Sequence, residues 1–242
     1  AYRLFEHIWV PFAPSDSGSA IGACLASYSG KAEDNTSPYL GSEFELGDID
    51  KAFTYFKFEI DVKELTEKEL IEKTANAINE NKVIGWCQGR MEFGARALGN
   101  RSILASPLDP EMKSKLNRVI KKREGFRPFA PSCTEEDAKT FFDIIDTVPY
   151  MNQVMQVNKA WNLPSITHAD GSARVQTVNK NQNNKYYKLL KKLGDVSGFP
   201  ISLNTSFNFK DQTITATPHD AIERFLDCEM DTLVLGNYIV KK

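Results

Sequence analysis

Short apolar segments alternate with amphipathic helical patterns along this chain, without a regular strand–helix–strand repeat. Residues 83–87 have the continuous apolar character of a buried strand, and residues 200–203 have it again much further along. The sequence contains neither a G-x-G-x-x-G dinucleotide motif nor a Walker A motif. A mixed α/β fold is therefore predicted.

Helices are predicted where capping residues precede a stripe of apolar positions. Thr66 and Glu69 form a capping box before an apolar face that runs from Leu70 to Ile78. Further helices are predicted to start at Asp109, Thr134 and Thr217 and to cover residues 20–28 and 186–193, the last capped by Gly194. Strands are predicted at residues 8–12, 83–87, 154–157, 174–178, 200–203 and 233–235.

The bulk properties exclude several classes of protein. The net charge is −2, so any site for an anion must be a local cluster of Arg and Lys. No apolar run approaches the roughly 18 residues that a membrane span needs, and the first residues lack the pattern of a signal peptide. We therefore expect a cytoplasmic protein without membrane contact. The chain begins without Met, and we expect its natural start to lie upstream.

Cysteine and histidine give no sign of a metal centre within this chain. The four cysteines form no Cys-x-x-Cys pair, and the three histidines are scattered. Reduced, mostly buried thiols are expected. The residues concerned are Cys24, Cys87, Cys133, Cys228, His7, His168 and His219.

A segment rich in Gly and Arg, residues 89–102, directly follows the buried strand at 83–87. Its arginines are Arg90, Arg96 and Arg101. Glycine lets a backbone turn tightly and approach a ligand closely, and the planar guanidinium matches phosphate oxygens. The segment suits a phosphate cradle. Alternatively it is a solvated loop, or Arg96 and Arg101 pair structurally with Glu92.

A second cationic segment, residues 121–132, follows an amphipathic helix. Lys121 and Lys122 would complement the dipole at the end of that helix, which is a purely structural explanation. Arg127 is followed by the stiff apolar run Pro128-Phe129-Ala130-Pro131. A cation on such a rigid frame favours contact with an anion.

A single arginine, Arg174, enters the predicted strand at residues 174–178. A partly buried arginine needs an acidic partner or a ligand. Asp170 is the alternative, structural partner.

Small polar residues end the predicted strand at 200–203. Asn204, Ser206 and Asn208 suit recognition of a ribose, phosphate or carbamoyl group, and the alternative is a simple Asx or Ser turn. Together with the three preceding segments, they favour electrostatic handling of phosphate over covalent catalysis.

These four segments closely resemble the C-terminal domain of the NodU/TobZ-type carbamoyltransferases. The resemblance runs in order from about Trp86 to the end of the chain, and the string from Gly89 to Ser102 is long and specific. Residues 10–18 also resemble the last signature of that family's N-terminal domain. Ala95 and Thr213 stand where proline is commoner in the family.

The resemblance implies a fold and a domain organisation. Residues 59–242 would form a YrdC-like domain, a twisted mixed sheet flanked by helices, after a linker at 32–58 that lacks a clear period. Residues 1–31 would be the C-terminal remnant of an actin/sugar-kinase-like domain. Because the histidine-rich metal motif of that domain is absent, we expect the chain to be incomplete as an enzyme on its own.

The resemblance also implies a chemistry. The YrdC-like domain would bind carbamoyl phosphate and ATP with Mg²⁺ and form carbamoyl adenylate, and the N-terminal domain would transfer the carbamoyl group to a small-molecule or sugar hydroxyl. By motif position, Lys121, Arg127 and Arg174 would be catalytic, and Asp16 would bind Fe or another divalent metal only together with ligands from the N-terminal domain. The substrate and nucleotide contacts would be Arg90, Arg96, Arg101, Arg123, Asn204, Ser206 and Asn208.

Two other functions remain open at this point. The chain could be a binding module that holds a nucleotide or phosphate without chemistry. YrdC-like domains also serve threonylcarbamoyl-adenylate formation and tRNA modification, but the slightly acidic balance argues against a nucleic-acid partner. The acceptor and the oligomeric state do not follow from the sequence.

Overall fold

The computed structural model describes residues 10–30 and 37–242. The helices are α1 (Asp16–Ser27), α2 (Leu46–Tyr55), α3 (Glu67–Asn79), α4 (Met112–Lys115) with a π-helical continuation (Leu116–Ile120), α5 (Ala138–Phe141), α6 (Asn184–Ser197) and α7 (Pro218–Leu226). The strands are β1 (Asp61–Glu64), β2 (Ile84–Cys87), β3 (Arg101–Ala105), β4 (Ala130–Thr134), β5 (Phe142–Asp143), β6 (Gln153–Val157), β7 (Ser172–Val178), β8 (Ile201–Ser206), β9 (Thr232–Leu235) and β10 (Tyr238–Lys241).

The ten strands form one mixed sheet in the order β1-β10-β9-β2-β3-β8-β4-β7-β6-β5. The pairs β2–β9 and β4–β7 are parallel, and the other neighbours are antiparallel. Strand β8 runs between β3 and β4, so its polar end at residues 204–206 lies in the middle of the sheet. This position brings the four cationic and polar segments of the sequence toward one region.

Each face of the sheet buries its own apolar cluster. Helices α3 and α6 pack together over one face, where Trp86, Leu104 and Tyr186 are fully buried. The opposite face packs against α2, α4 and α7 and includes Ile103 and Leu203. Alternation along β8 therefore directs residues 202, 204 and 206 to the α3/α6 face.

The capping box predicted for α3 is confirmed. The Thr66 hydroxyl accepts the amide N–H of Glu69, and the Glu69 carboxylate accepts the amide N–H of Thr66 at 3.0 Å. The predicted apolar face is also correct, because Leu70 and Ile78 are fully buried. Helix α7 begins after Thr217 as predicted, and Thr217 and Asp220 form a second capping box, which was not predicted.

Removal of the α3 cap should have a small, local cost. We expect Thr66→Ala to lower the free energy of unfolding by about 1 kcal/mol, because an orphan amide of the first turn loses its acceptor. Urea denaturation followed by circular dichroism measures the loss. Thr54→Ala in α2 is the control, since the Thr54 hydroxyl donates within its own helix and alanine favours helices; an equal loss in both variants would contradict the capping role.

Several predicted elements have different bounds. The linker predicted at residues 32–58, where no helical or strand periodicity was recognised, contains α2, whose Ile49 and Ala52 are buried. Thr134 ends β4 rather than starting a helix, and the helix assigned to Asp109 begins at Met112. The predicted strand at 8–12 lies partly outside the described residues, as does most of the polar segment at 31–38. Strands β1, β3, β4, β5 and β10 were not predicted from the sequence.

The end of α6 was also predicted wrongly. The helix passes Gly194 and continues to Ser197, and Gly198, with a φ of 80°, forms the left-handed cap. Gly194 instead lies where an added Cβ would be 3.1 Å from Pro200, so its small size serves packing.

Helix α1 contains no buried residue. Among residues 10–30 and 37–242, none of the helices combines the length and apolar character that crossing a membrane would require.

Candidate phosphate-binding site

The loop between β2 and β3 is organised around a buried carboxylate. Oε1 of Glu92 accepts the amide N–H groups of Leu98 at 2.6 Å, Asn100 at 2.8 Å and Arg101 at 3.3 Å. Burial raises the pKa of Glu92, and the amides oppose that shift. Glu92 thus holds the backbone of the loop, and it does not form the predicted alternative ion pair with Arg96 or Arg101.

Two arginines of this loop bind backbone carbonyls. Arg101 is fully buried, and its Nη1 donates to the carbonyls of Gln88 at 2.7 Å and Gly89 at 3.1 Å. Arg90 donates to the carbonyls of Leu40 at 3.0 Å and Gly41 at 3.2 Å. Both guanidinium groups therefore fasten the loop to the preceding chain, while Arg96 is exposed.

Gly99 lets the loop lie directly on α6. Its φ is 104°, and a Cβ added there would be 2.2 Å from Cδ1 of Tyr186. Tyr186 is fully buried in the core, so its ring could move away only by displacing neighbouring core side chains. The glycine is needed for both its backbone conformation and its close contact.

A group of cations, which we call the cationic cluster, comprises Arg96, Lys121, Arg123, Arg127 and Arg174. Burial, followed by the charges of Arg96 and Arg123, lowers the pKa of Arg174 to about 10. Burial and the charge of Arg127 lower that of Arg123. Charges affect a pKa in this way only when they are close, so Arg174 lies near Arg96 and Arg123, and Arg123 lies near Arg127, although they come from the β2–β3 loop, the segment before β4, and β7.

Arg174 lacks the structural partner that the sequence suggested. Asp170 accepts the hydroxyl of Ser172 at 2.6 Å and its amide N–H at 3.1 Å. Nε of Arg174 is buried and has no hydrogen-bond partner. Within the described part of the chain, Arg174 forms no ion pair, so its charge is left for a ligand to compensate.

Lys121 is buried against the end of β8. Its Nζ donates to the carbonyl of Ser206, to the carbonyl of Asn208 at 2.9 Å and to Oδ1 of Asn208 at 3.0 Å. Burial and the charges of Arg123 and Arg224 lower its pKa to about 7. Lys121 therefore fixes the turn after β8 and contributes a charge that titrates near neutral pH.

Arg123 and Arg127 differ in how they are held. Nε of Arg123 donates to Oδ1 of Asn117 at 2.8 Å, and its guanidinium lies 4.9 Å from the ring centroid of Phe129. Arg127 is about half exposed and pairs with Glu124 at 2.9 Å. An exposed pair of this kind is weak, so Arg127 can exchange it for a phosphate at little cost.

The polar end of β8 extends a buried network. Nδ2 of Asn204 donates to the hydroxyl of Ser132 at 2.9 Å and to Oε1 of Gln176 at 3.1 Å. The Ser206 hydroxyl donates to Oδ1 of Asn208 at 2.7 Å. Ser132 and Gln176 were not predicted as site residues, and β4, which carries Ser132, was not predicted as a strand.

Asp16 belongs to a helix whose start lies beside the β2–β3 loop, because a Cβ built at Gly94 would be 3.7 Å from Oγ of Ser17. Asp16 is exposed at the first turn of α1. Among the described residues, the acidic and histidine side chains close enough to share a metal are His219, Asp220 and Glu223 on α7, a group that does not include Asp16. The metal role of Asp16 remains a prediction that depends on ligands from elsewhere.

Solved structures share the fold of this chain at low sequence identity. Full-length HypF in its phosphate- and nucleotide-bound form superposes with a TM-score of 0.52 and 19% identity over 73% of this chain and 22% of HypF. YciO from E. coli superposes with a TM-score of 0.52 and 14% identity over 72% of this chain and 80% of YciO. These neighbours are YrdC-like domains, which confirms the predicted fold.

Sequence comparison adds closer relatives. Nodulation protein NolNO from Sinorhizobium fredii is 39% identical over 99% of this chain and 36% of its own length. Nodulation protein NolO from Bradyrhizobium diazoefficiens is 40% identical over 99% of this chain and 45% of its own length. The chain thus spans less than half of these curated relatives. Residues 75–242 match the family described as Carbamoyltransferase C-terminus, and this chain belongs to that family.

Proposed function

We propose that this chain forms carbamoyl adenylate from carbamoyl phosphate and ATP, as part of a carbamoyltransferase. The observation that carries the proposal is the cationic cluster, in which Arg174 is partly buried without an acidic partner. Buried cations that repel one another are unfavourable unless an anion joins them. A substrate with several phosphate groups would satisfy this need.

The cluster suits attack at a phosphorus atom. In the proposed reaction, a carbamate oxygen bonds to the α-phosphorus of ATP, and the bond from that phosphorus to pyrophosphate breaks. This carbamate forms when one water attacks the phosphorus of carbamoyl phosphate and breaks its bond to the carbamoyl oxygen, which releases phosphate. The products from carbamoyl phosphate, ATP and water are therefore carbamoyl adenylate, pyrophosphate and phosphate. Guanidinium and ammonium groups would stabilise the charge that develops on the phosphoryl oxygens, and no side-chain nucleophile is required.

The side chains at the cluster indicate how Mg²⁺ would be bound. Glu92 is committed to backbone amides, and Glu124 is paired with Arg127 only until Arg127 exchanges it for a phosphate. Oxygen ligands for Mg²⁺ would therefore come mainly from the nucleotide phosphates, and Glu124 would then be free to join them. The ion would neutralise phosphate charge, while the protein side chains orient the phosphates.

Transfer to a hydroxyl acceptor is proposed for the whole protein. This chain spans 36% of NolNO and 45% of NolO, so much of each relative lies beyond the aligned region. An acceptor site and the metal ligands that would join Asp16 would be supplied by that further sequence. The acceptor would be a small molecule or sugar with a free hydroxyl.

The direct test is release of pyrophosphate. Purified chain is mixed with ATP, Mg²⁺ and carbamoyl phosphate, and pyrophosphate is measured against a reaction without carbamoyl phosphate. Carbamoyl-phosphate-dependent release supports the proposal. Nucleotide binding by calorimetry without any release would instead identify a binding module without chemistry.

Anion binding should also depend on pH through Lys121. Because the pKa of Lys121 is lowered to about 7, its ammonium is lost as pH rises above that value, and anion affinity falls. We expect sulfate, whose charge is constant in this range, to bind more weakly by up to about tenfold per pH unit between pH 7 and 9. Calorimetric titration with sulfate gives the dependence.

Lys121→Arg provides the matched control for this titration. Its guanidinium stays charged across the range, so the sulfate affinity of the variant should be flat. A flat profile for the wild type would show that Lys121 does not titrate near neutrality.

A further inference from the structure

The helix that leads to Lys121 changes its hydrogen-bonding pattern over its last turn. In its π-helical segment, the amide N–H of Lys121 donates to the carbonyl of Leu116 at 2.8 Å, five residues back. An α-helix would instead pair that N–H with the carbonyl of Asn117, which here accepts the amide N–H of Arg123 at 2.9 Å. This turn ties the backbone of Arg123 back to the helix, and isolated π-helical turns are frequent at functional sites.

The side chain of Asn117 holds the following segment at three more points. Asn117 is 1% exposed, and its Oδ1 accepts the Nε–H of Arg123 at 2.8 Å. Its Nδ2 donates to the carbonyls of Gly125 at 3.2 Å and Arg127 at 3.0 Å. A guanidinium can only donate and a carbonyl can only accept, so these partners fix the orientation of the amide. One buried side chain thus fastens both arginines to the helix.

The segment after the π-helical turn needs such support, because its own charges and backbone oppose a fixed arrangement. Burial, and then the charge of Arg127, lowers the pKa of Arg123, so the two guanidinium groups repel one another. The pair of Arg127 with Glu124 is half exposed and weak. Lys122 has a φ of 49°, a conformation that side chains with a Cβ rarely adopt unless their surroundings hold them. The hydrogen bonds of Asn117 counteract these costs.

We infer that Asn117 is a positioning residue that presents Arg123 and Arg127 to substrate phosphate groups in a fixed arrangement. This inference rests on the proposed function. Asn117 is too deeply buried to contact a ligand, and both ends of its amide are already engaged, so it acts through the two arginines. Without Asn117 both arginines keep their charges but lose their arrangement, and a displacement of about 1 Å can lower a rate about a hundredfold.

The test removes the amide and measures binding, turnover and local structure. In Asn117→Ala we expect the dissociation constant for inorganic pyrophosphate, measured by calorimetry, to rise about tenfold. The kcat for carbamoyl-phosphate-dependent pyrophosphate release should fall by about tenfold to a hundredfold. Trypsin should cleave after Arg123 about tenfold faster, because the loss of hydrogen bonds lets the segment open more often. Mass spectrometry of the peptides identifies the cleavage site.

Asn179→Ala is the matched control. Asn179 likewise holds a loop through its side chain, whose Oδ1 accepts the amide N–H groups of Asn181 and Gln182 at 3.0 Å. This loop follows β7, at the end of the strand far from Arg174. The variant should therefore keep the pyrophosphate affinity, the turnover and the rate of cleavage after Arg123 that the wild type shows.

A purely structural role for Asn117 would lower the free energy of unfolding and leave pyrophosphate affinity and cleavage after Arg123 unchanged, which would overturn the inference. Equal effects in Asn117→Ala and Asn179→Ala would overturn it as well. If circular dichroism shows that Asn117→Ala is unfolded, Asn117→Ser replaces it. The neutral serine hydroxyl can restore only part of these hydrogen bonds, so wild-type affinity and cleavage in Asn117→Ser would contradict the positioning role.

The inference and the proposed reaction can fail separately. A wild type whose pyrophosphate affinity depends on Asn117, but which releases no pyrophosphate from ATP, would refute the proposed reaction alone. Pyrophosphate release that does not depend on Asn117 would refute this inference alone.

Discussion

Arg174→Ala is expected to lower kcat/KM for carbamoyl-phosphate-dependent pyrophosphate release by about a hundredfold to a thousandfold. Loss of one preorganised charged donor at a developing anion has an effect of this size. The guanidinium of Arg174 is partly buried, makes no ion pair with the described residues, and has an unpartnered Nε, so it has no competing structural task. Its loss should therefore act on the ligand rather than on folding.

The free energy of unfolding of Arg174→Ala distinguishes an effect on ligand binding from an effect on folding. Removal of an uncompensated charge should leave the free energy of unfolding unchanged or raise it, because Arg174 is repelled by Arg96 and Arg123. The control for activity is Arg118→Ala, since Arg118 is exposed on the π-helical segment outside the cationic cluster. An Arg174→Ala protein that unfolds early, or that retains full activity, would contradict the assignment.

Gly99→Ala should produce the largest loss of stability. The added Cβ would lie 2.2 Å from Cδ1 of Tyr186, and the φ of 104° disfavours any side chain. Overpacking costs about 1–3 kcal/mol and the backbone strain a further 1–3 kcal/mol, so a loss of about 3 kcal/mol or more in the free energy of unfolding is expected. Urea denaturation followed by circular dichroism gives this value.

Gly47→Ala is the matched control for that experiment. Gly47 lies in the first turn of α2, and an added Cβ there would have no atom within 4 Å. Its stability should be unchanged or slightly higher, because alanine favours the helix. Similar losses in both variants would show that the contact with Tyr186 is not the cause.

Local signals in the sequence predicted local structure well. Thr66 and Glu69 lie within four residues of one another and form the predicted capping box, and α7 begins after Thr217 as predicted. The end of α6 was missed because Gly194 resembles a cap, whereas the packing against Pro200 explains that glycine. A helix end depends on backbone conformation that residue type alone does not determine.

The candidate site was harder to predict because its members differ only in long-range contacts. Arg101 and Arg174 look alike in sequence. The guanidinium of Arg101 donates hydrogen bonds to carbonyls elsewhere in the chain, whereas Nε of Arg174 has no hydrogen-bond partner among the described residues. Gln176 was not predicted as part of the site, because its hydrogen bonds to Leu98, Ser132 and Asn204 join segments that are far apart in the sequence. The family resemblance supplied the roles proposed for Lys121 and Asn204, and sequence spacing alone would not have done so.

The order of strands also governs when this protein can fold during its synthesis. Strand β1 pairs with β10, and β9 pairs with β2 deep in the sheet, although about 170 residues separate β1 from β10 in the chain. On the ribosome, β1 and one side of β2 can therefore form their strand pairs only after residues 232–241 have emerged. This part of the nascent chain should accordingly bind chaperones, and it should become resistant to protease only after residues 232–241 have emerged.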